Sequence, residues 1–312
     1  MEYIYILLIA LSGAVAGQKT PISQELFDTF KRYAEISSAV YASTCPTPPG
    51  GINITKQINN RQTDTQGFIT RDDAAGEIIV AFRGTSNVRD FQVDLQEDLV
   101  PLQAQGITGC DGCLVHEGFL SAWNSVAAET ISAVEAEMAV SPNSRVIITG
   151  HSLGGSLASL ATVSMLGSGI NVTTYTYGQP RTGNKEYADF VDQRAPAGAM
   201  FRVTHANDGV PQVVAVASGY QHHSTEYWQE NGAVAAGVFE CTGQEPTDCN
   251  NSVRGTGLGA GGVGINAAHL SYMGASIGNP ADQGSKICGG NKPGFFGTVG
   301  GLLGIGGRGG RG

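Results

Sequence analysis

One segment constrains the fold of this chain more than any other: "RVIITGHSLGGSLASL", residues 145–160. Its β-branched start is typical of a buried strand, and the residues after Ser152 are typical of a helix. Gly150 and Gly154 surround Ser152 in a G-x-S-x-G pattern, which places a serine on a sharp strand-to-helix turn. The pattern predicts an exposed nucleophilic hydroxyl; an ordinary N-cap serine in a glycine-rich helix start is the alternative.

The remaining apolar runs alternate with longer helix-like segments, which predicts an α/β fold with a mostly parallel sheet and helices on both faces. The predicted strands are residues 77–82, 145–150, 172–178 and 200–205, and the predicted helices are 25–43, 116–139 and 152–167. With 41% hydrophobic residues in 312, the chain can bury a large core. We expect one domain over residues 17–288 and a flexible, glycine-rich tail over residues 289–312.

The N-terminal residues and the net charge predict a secreted protein that does not bind nucleic acid. Residues 4–11 are apolar and Ala14-Val15-Ala16 fits a cleavage site, which predicts a signal peptide over residues 1–16 and secretion. That run is shorter than the roughly 20 residues of a membrane span, so no transmembrane segment is expected. A net charge of −9 argues against nucleic acid as a partner. Sequons predict glycans at Asn53, Asn171 and Asn250.

Secretion favours disulfides for the six cysteines. Six cysteines allow fifteen pairings, and the residues alone do not choose among them. Short loops suggest Cys110 with Cys113 and Cys241 with Cys249, which would leave Cys45 and Cys288. Zinc at the Cys-x-x-Cys pair is the alternative, but the chain has no second such pair to complete the site, and we expect no metal.

A serine nucleophile needs a base and a carboxylate that orients the base. Asp208 is the best-placed acid, because it follows the strand 200–205 where active sites of parallel sheets lie. The other aspartates after Ser152 are Asp189, Asp192, Asp248 and Asp282.

His269 is the favoured base, at an expected loop-to-helix boundary near the end of the domain. The alternatives are His205, His222 and His223, and His151 is expected to support the serine. The backbone N–H of Leu153, and the N–H and hydroxyl of Thr85 after the strand 77–82, are expected to hold the oxyanion.

Five motifs carry a resemblance to a known family: "AFRGTSNVRDFQVDL", "VIITGHSLGGSLASL", "YTYGQPRTGN", "FRVTHANDGVP" and "INAAHLSYMG". In this order they resemble the filamentous-fungal class 3 lipases, a group that includes a fungal feruloyl esterase. The resemblance implies an α/β-hydrolase without a cofactor, with Ser152 as nucleophile, Asp208 and His269 as its partners, and Thr85 and Leu153 as oxyanion hole. It also implies the disulfides Cys45–Cys288, Cys110–Cys113 and Cys241–Cys249.

The lid of such lipases corresponds here to "SNVRDFQVDLQEDL". Val88 and Phe91 are three residues apart and would share one helical face, which a lipid–water interface could draw open. A surface helix that packs both side chains inward is the alternative.

The sequence therefore predicts a secreted, monomeric serine ester hydrolase, a triacylglycerol lipase. A feruloyl-type esterase acting on plant cell-wall phenolic esters is the first alternative. A binding protein without activity on the same fold is the second, against which the intact Ser152, Asp208 and His269 argue.

Overall fold

The structure is a computed structural model that describes residues 19–85, 98–257, 264–279 and 286–289. Within these ranges the helices are α1 (Gln24–Ala39), α2 (Glu117–Asn124), α3 (Ala127–Val140), α4 (Leu153–Gly167) and α5 (Lys185–Arg194). The strands are β1 (Thr20–Pro21), β2 (Asn53–Asn60), β3 (Thr65–Asp72), β4 (Glu77–Phe82), β5 (Leu99–Pro101), β6 (Leu114–His116), β7 (Arg145–His151), β8 (Val172–Tyr177), β9 (Met200–His205), β10 (Glu226–Gln229), β11 (Val238–Cys241), β12 (Ser271–Tyr272) and β13 (Ala275–Ser276).

Nine of these strands form one sheet in the order β1-β11-β10-β9-β8-β7-β4-β3-β2. Its centre, from β10 to β4, is parallel, and the strands on both flanks are antiparallel. The four predicted strands are β4, β7, β8 and β9. They lie in the parallel centre, where a strand is covered on both faces and therefore reads as a continuous apolar run.

Helices cover the two faces of the sheet, as predicted. Every residue of β4 is buried, and its side chains alternate between two apolar cores. Ile78 and Val80 pack in the core that α2, α3, α4 and α5 cover. Ile79 packs in the core that α1 covers, where Phe30 makes edge contacts with three aromatic rings.

The predicted helix 116–139 is in fact two helices, α2 and α3. Ser125, between them, donates its hydroxyl to the carbonyl of Ala122 at 2.8 Å, and Val126 leaves helical geometry with a φ of −129°. A serine that bonds back to the preceding turn competes with the helical hydrogen bonds. This competition accounts for the break between the two helices.

Three disulfides are present, and they are the pairs that the resemblance implies: Cys45–Cys288, Cys110–Cys113 and Cys241–Cys249. Since Cys110 and Cys113 are bonded to each other, they are not available as zinc ligands. In the described part of the chain, no helix is long and apolar enough to cross a bilayer. The predicted signal peptide, the lid residues Val88 and Phe91, and the tail after Gly289 lie outside the described residues.

Candidate active site

Ser152 lies on the sharp turn between β7 and α4. Its backbone has a φ of 60° and a ψ of −130°, a conformation that costs a non-glycine residue free energy and is concentrated at functional sites. The Ser152 N–H donates to the carbonyl of Tyr177 at 2.9 Å, and its carbonyl accepts from Gly155. The strained turn is thereby fixed by the neighbouring strand β8 on one side and by the first turn of α4 on the other.

The two glycines of the motif are required because backbone crowds around this turn. A Cβ atom at Gly150 would lie 2.1 Å from the carbonyl oxygen of Gly154. A Cβ atom at Gly154 would lie 2.3 Å from the carbonyl oxygen of Phe82, at the end of β4. Only residues without a side chain permit β4, β7 and α4 to approach this closely.

Asp208 follows β9 at the carboxyl edge of the sheet and is fully buried. Its carboxylate accepts hydrogen bonds from the Val210 N–H at 2.9 Å and from the Tyr272 hydroxyl. The third partner is His269, whose Nδ1 lies 2.9 Å from Oδ2 and 3.1 Å from Oδ1. Since a carboxylate only accepts, Nδ1 carries the proton and Nε2 of a neutral imidazole is left as a base.

His269 lies in a turn, residues 267–270, that leads into β12. The expected loop-to-helix boundary at this position is therefore wrong. The Asn266 side chain caps the turn by accepting from the His269 N–H at 3.1 Å. Such side-chain-to-backbone bonds stabilise turns as well as helix starts, which is why the sequence was ambiguous here.

Glycine at position 178 lets the acid and the base meet. Gly178 follows β8 with a φ of 57°, and a Cβ atom there would lie 2.8 Å from Asp208 Oδ2 and 2.9 Å from His269 Nδ1. Any side chain would displace the pair. The glycine of "YTYGQP" thus belongs to the site, although the sequence alone gave no reason for it.

His151 links His269 to the turn that carries Ser152. Its Nε2 lies 2.9 Å from the carbonyl oxygen of His269, and the two imidazole rings are 4.4 Å apart between centroids. Burial lowers the pKa of His151 well below its ordinary value, so the ring is neutral. With the proton on Nε2, Nδ1 accepts from the Tyr41 hydroxyl at 2.8 Å.

Tyr41 extends this chain of hydrogen bonds to the loop after β4. Its hydroxyl oxygen accepts from the Gly84 N–H at 3.1 Å. A Cβ atom at Gly84 would lie 2.9 Å from the Ser152 Cβ atom, so this loop borders the serine directly. Tyr41 lies 110 residues before His151, and nothing in the sequence around it signals this contact.

The predicted oxyanion donors flank Ser152. Thr85 follows Gly84, and its hydroxyl is buried without a hydrogen-bond partner in the described part of the protein. Leu153 is the first residue of α4, so its N–H has no acceptor within the helix. Unsatisfied donors beside a nucleophile can stabilise an oxyanion.

The rival histidines are engaged elsewhere. His205 contacts the Ala268 carbonyl through Nδ1, and His222 contacts the Pro211 carbonyl through Nε2. Burial lowers the pKa of His222 well below its ordinary value and that of His223 to about 4. His223 lies 3.0 Å from the side-chain nitrogen of Gln179. Among the described histidines, only His269 forms a hydrogen bond to the Asp208 carboxylate through its ring.

The rival acids also have other contacts. Asp189 accepts from Lys185 and Gln244, and Asp192 accepts from the Ser224 N–H. Asp248 lies in the loop that the Cys241–Cys249 disulfide closes. Asp282 is outside the described residues.

The sequons differ in exposure. Asn53 and Asn171 are exposed, which is compatible with the predicted glycans. Asn250 is 3% exposed, and its side-chain nitrogen donates to the carbonyls of Ala206 and Asp208. A glycan on that nitrogen would displace both hydrogen bonds, so the structure disfavours the predicted glycan at Asn250.

Comparison with known proteins identifies the family of this chain. The model of the family "Lipase (class 3)" matches residues 79–218. The chain is 34% identical over 241 residues to secreted mono- and diacylglycerol lipase 1 of Fusarium solani, an alignment that covers 74% of this chain and 67% of that protein. The chain spans about half to two thirds of the length of the curated relatives it matches.

Solved structures are similar over most of the chain. A triacylglycerol lipase from Penicillium expansum is 26% identical with a TM-score of 0.74, covering 83% of this chain and 97% of that one. A triacylglycerol lipase whose catalytic centre is formed by a serine protease triad is 27% identical with a TM-score of 0.71, covering 87% and 100%. These similarities confirm the α/β-hydrolase fold, and the chain belongs to the class 3 lipase family.

Proposed function

We propose that this protein is a secreted lipase that hydrolyses acylglycerol esters with Ser152 as nucleophile. His269 serves as its general base, and Asp208 orients the imidazole. The proposal depends on the buried hydrogen bond between Asp208 and His269. His151, next to Ser152 in the chain, contacts the His269 carbonyl and so keeps His269 close to the strained turn. The relatives named as lipases support it over a feruloyl-type esterase.

The reaction follows from the roles of these groups. The Ser152 hydroxyl attacks the ester carbonyl while His269 Nε2 takes its proton, and Asp208 stabilises the imidazolium that forms. The oxyanion binds the Leu153 N–H and the N–H and hydroxyl of Thr85. His269 then protonates the leaving alcohol. Water, activated by the same imidazole, releases the fatty acid and restores the serine.

In this scheme, the groups that hold the oxyanion and the base all belong to the protein, and the reaction uses no metal. The substrate is an acylglycerol at a lipid surface. Secretion is supported by the relatives named as secreted. We expect a mature monomer that begins at residue 17 and carries glycans at Asn53 and Asn171. If the predicted lid that carries Val88 and Phe91 opens at a lipid surface, activity should rise when the ester exceeds its solubility limit.

Rates on emulsified triolein, on diolein and on methyl ferulate test the proposed substrate class. We expect cleavage of the acylglycerols and a rate on methyl ferulate lower by about 100-fold, a difference of the size that fit to an apolar pocket produces. Ser152→Ala is the control for each substrate and should abolish hydrolysis. Rapid ferulate release without triolein or diolein cleavage would contradict the proposal.

A further inference from the structure

The turn that carries Asp208 is strained. Ala206, directly after β9, has a φ of 39°, which is unfavourable for a residue with a side chain. Such a conformation persists only where surrounding contacts hold it. Its carbonyl oxygen is held by two donors, the Trp228 indole N–H at 2.9 Å and the Asn250 side-chain amide at 3.1 Å.

Asn250 holds the turn at a second point. The same side-chain nitrogen lies 3.1 Å from the carbonyl oxygen of Asp208 itself. The two carbonyls on either side of Asn207 are thus joined through one amide group, which has two hydrogens to give. This fixes the backbone on which the Asp208 carboxylate is mounted.

Asn250 is in turn fixed from the opposite side. Its side-chain oxygen and its backbone oxygen each accept from Gln212 Nε2 at 3.1 Å, and its N–H donates to Glu226 at 3.1 Å. Asn250 also directly follows Cys249, whose disulfide to Cys241 packs against Trp228. Every hydrogen-bonding group of Asn250 is therefore engaged, in a buried and cross-linked setting.

We propose that Asn250 is a positioning residue for Asp208, and not the glycan acceptor that its sequon suggests. The inference rests on the proposed function, because it assigns Asn250 a part in orienting the acid of that site. A carbonyl oxygen accepts hydrogen bonds only, so an amide nitrogen suits both contacts and a carboxylate suits neither.

Asn250→Asp tests the proposal, since it keeps the shape of the side chain and replaces the donor by an acceptor. We expect kcat on a soluble ester to fall by about 100-fold, the effect of a misplacement of about 1 Å, while KM stays within about twofold. The kcat of Asn250→Ala, which removes the donor without adding charge, should also fall. Asn171→Asp, at an exposed sequon, is the matched control and should keep its kcat.

The readouts separate this proposal from the function on which it rests. Circular dichroism shows which variants fold, and kcat is calculated per folded molecule. If Asn250→Asp does not fold, the kcat of Asn250→Ala tests the proposal. Full kcat in a folded Asn250 variant, a change in KM alone, or a glycan on the Asn250 peptide by mass spectrometry would overturn the positioning role. Hydrolysis by Ser152→Ala would instead overturn the proposed function.

Discussion

At the scale of single residues, the site depends on groups that do not meet the substrate. Tyr41 accepts from the Gly84 N–H and donates to His151, and His151 donates to the His269 carbonyl. This chain of bonds joins the loop of the predicted oxyanion donor Thr85 to the backbone of the predicted base. A change at Tyr41 should therefore disturb both.

Tyr41→Phe removes the hydroxyl that two buried groups share. We expect the free energy of unfolding to fall by about 1–3 kcal/mol, the cost of leaving a buried polar group unsatisfied. We also expect kcat to fall by about tenfold, less than the 10²–10³ that a lost oxyanion donor costs. Urea denaturation and kcat on a soluble ester measure the two effects.

Tyr187→Phe is the control, because the buried Tyr187 hydroxyl contacts only the rotatable hydroxyl of Ser159 in the described structure. It should leave kcat unchanged. If Tyr41→Phe and Tyr187→Phe have the same kcat, the link from Tyr41 to the site has no catalytic consequence.

At the scale of secondary structure, the turn between β7 and α4 depends on close packing against the end of β4. The sequence predicted the parallel strands and the turn, since continuous apolar runs mark the strands and the motif marks the turn, but it did not predict the contact with β4. The flanking strands were harder to predict. β2, "NITKQINN", is mostly polar, and its place in the sheet comes from pairing with β3.

The break between α2 and α3 illustrates the same limit. The Ser125 hydroxyl contacts Thr63, 62 residues earlier in the chain, at 2.8 Å. This contact fixes the hydroxyl where it competes with the helix. Periodicity describes only neighbours along the chain, so the sequence predicted one helix.

Gly154→Ala tests the close packing at the turn. The added Cβ atom would meet the Phe82 carbonyl oxygen at 2.3 Å, so we expect a loss of about 1–3 kcal/mol in the free energy of unfolding, as for other overpacked sites. Gly232→Ala, where no heavy atom lies within 4 Å of the new Cβ atom, should leave stability nearly unchanged. Equal urea midpoints for the two variants would show that the packing is looser than described.

At the scale of the whole molecule, the sheet brings together residues 152, 208 and 269 at its carboxyl edge. Chain order and strand ends predicted Asp208 and favoured His269. The supporting residues could not be predicted in this way, because their roles arise from tertiary contacts. Asn250 is the clearest case, since a sequon describes three residues and says nothing of burial, and the side chain that it marks is only 3% exposed.

In the proposed mechanism, His269 activates the Ser152 hydroxyl. Inactivation with diethyl p-nitrophenyl phosphate, followed by peptide mass spectrometry, tests it directly, because this reagent phosphorylates a serine that has an adjacent base. We expect one diethylphosphoryl group per chain, on Ser152, with loss of esterase activity, and no labelling of folded His269→Ala on the same time scale. Labelling of a different residue, or equal labelling of the His269→Ala variant, would contradict the account.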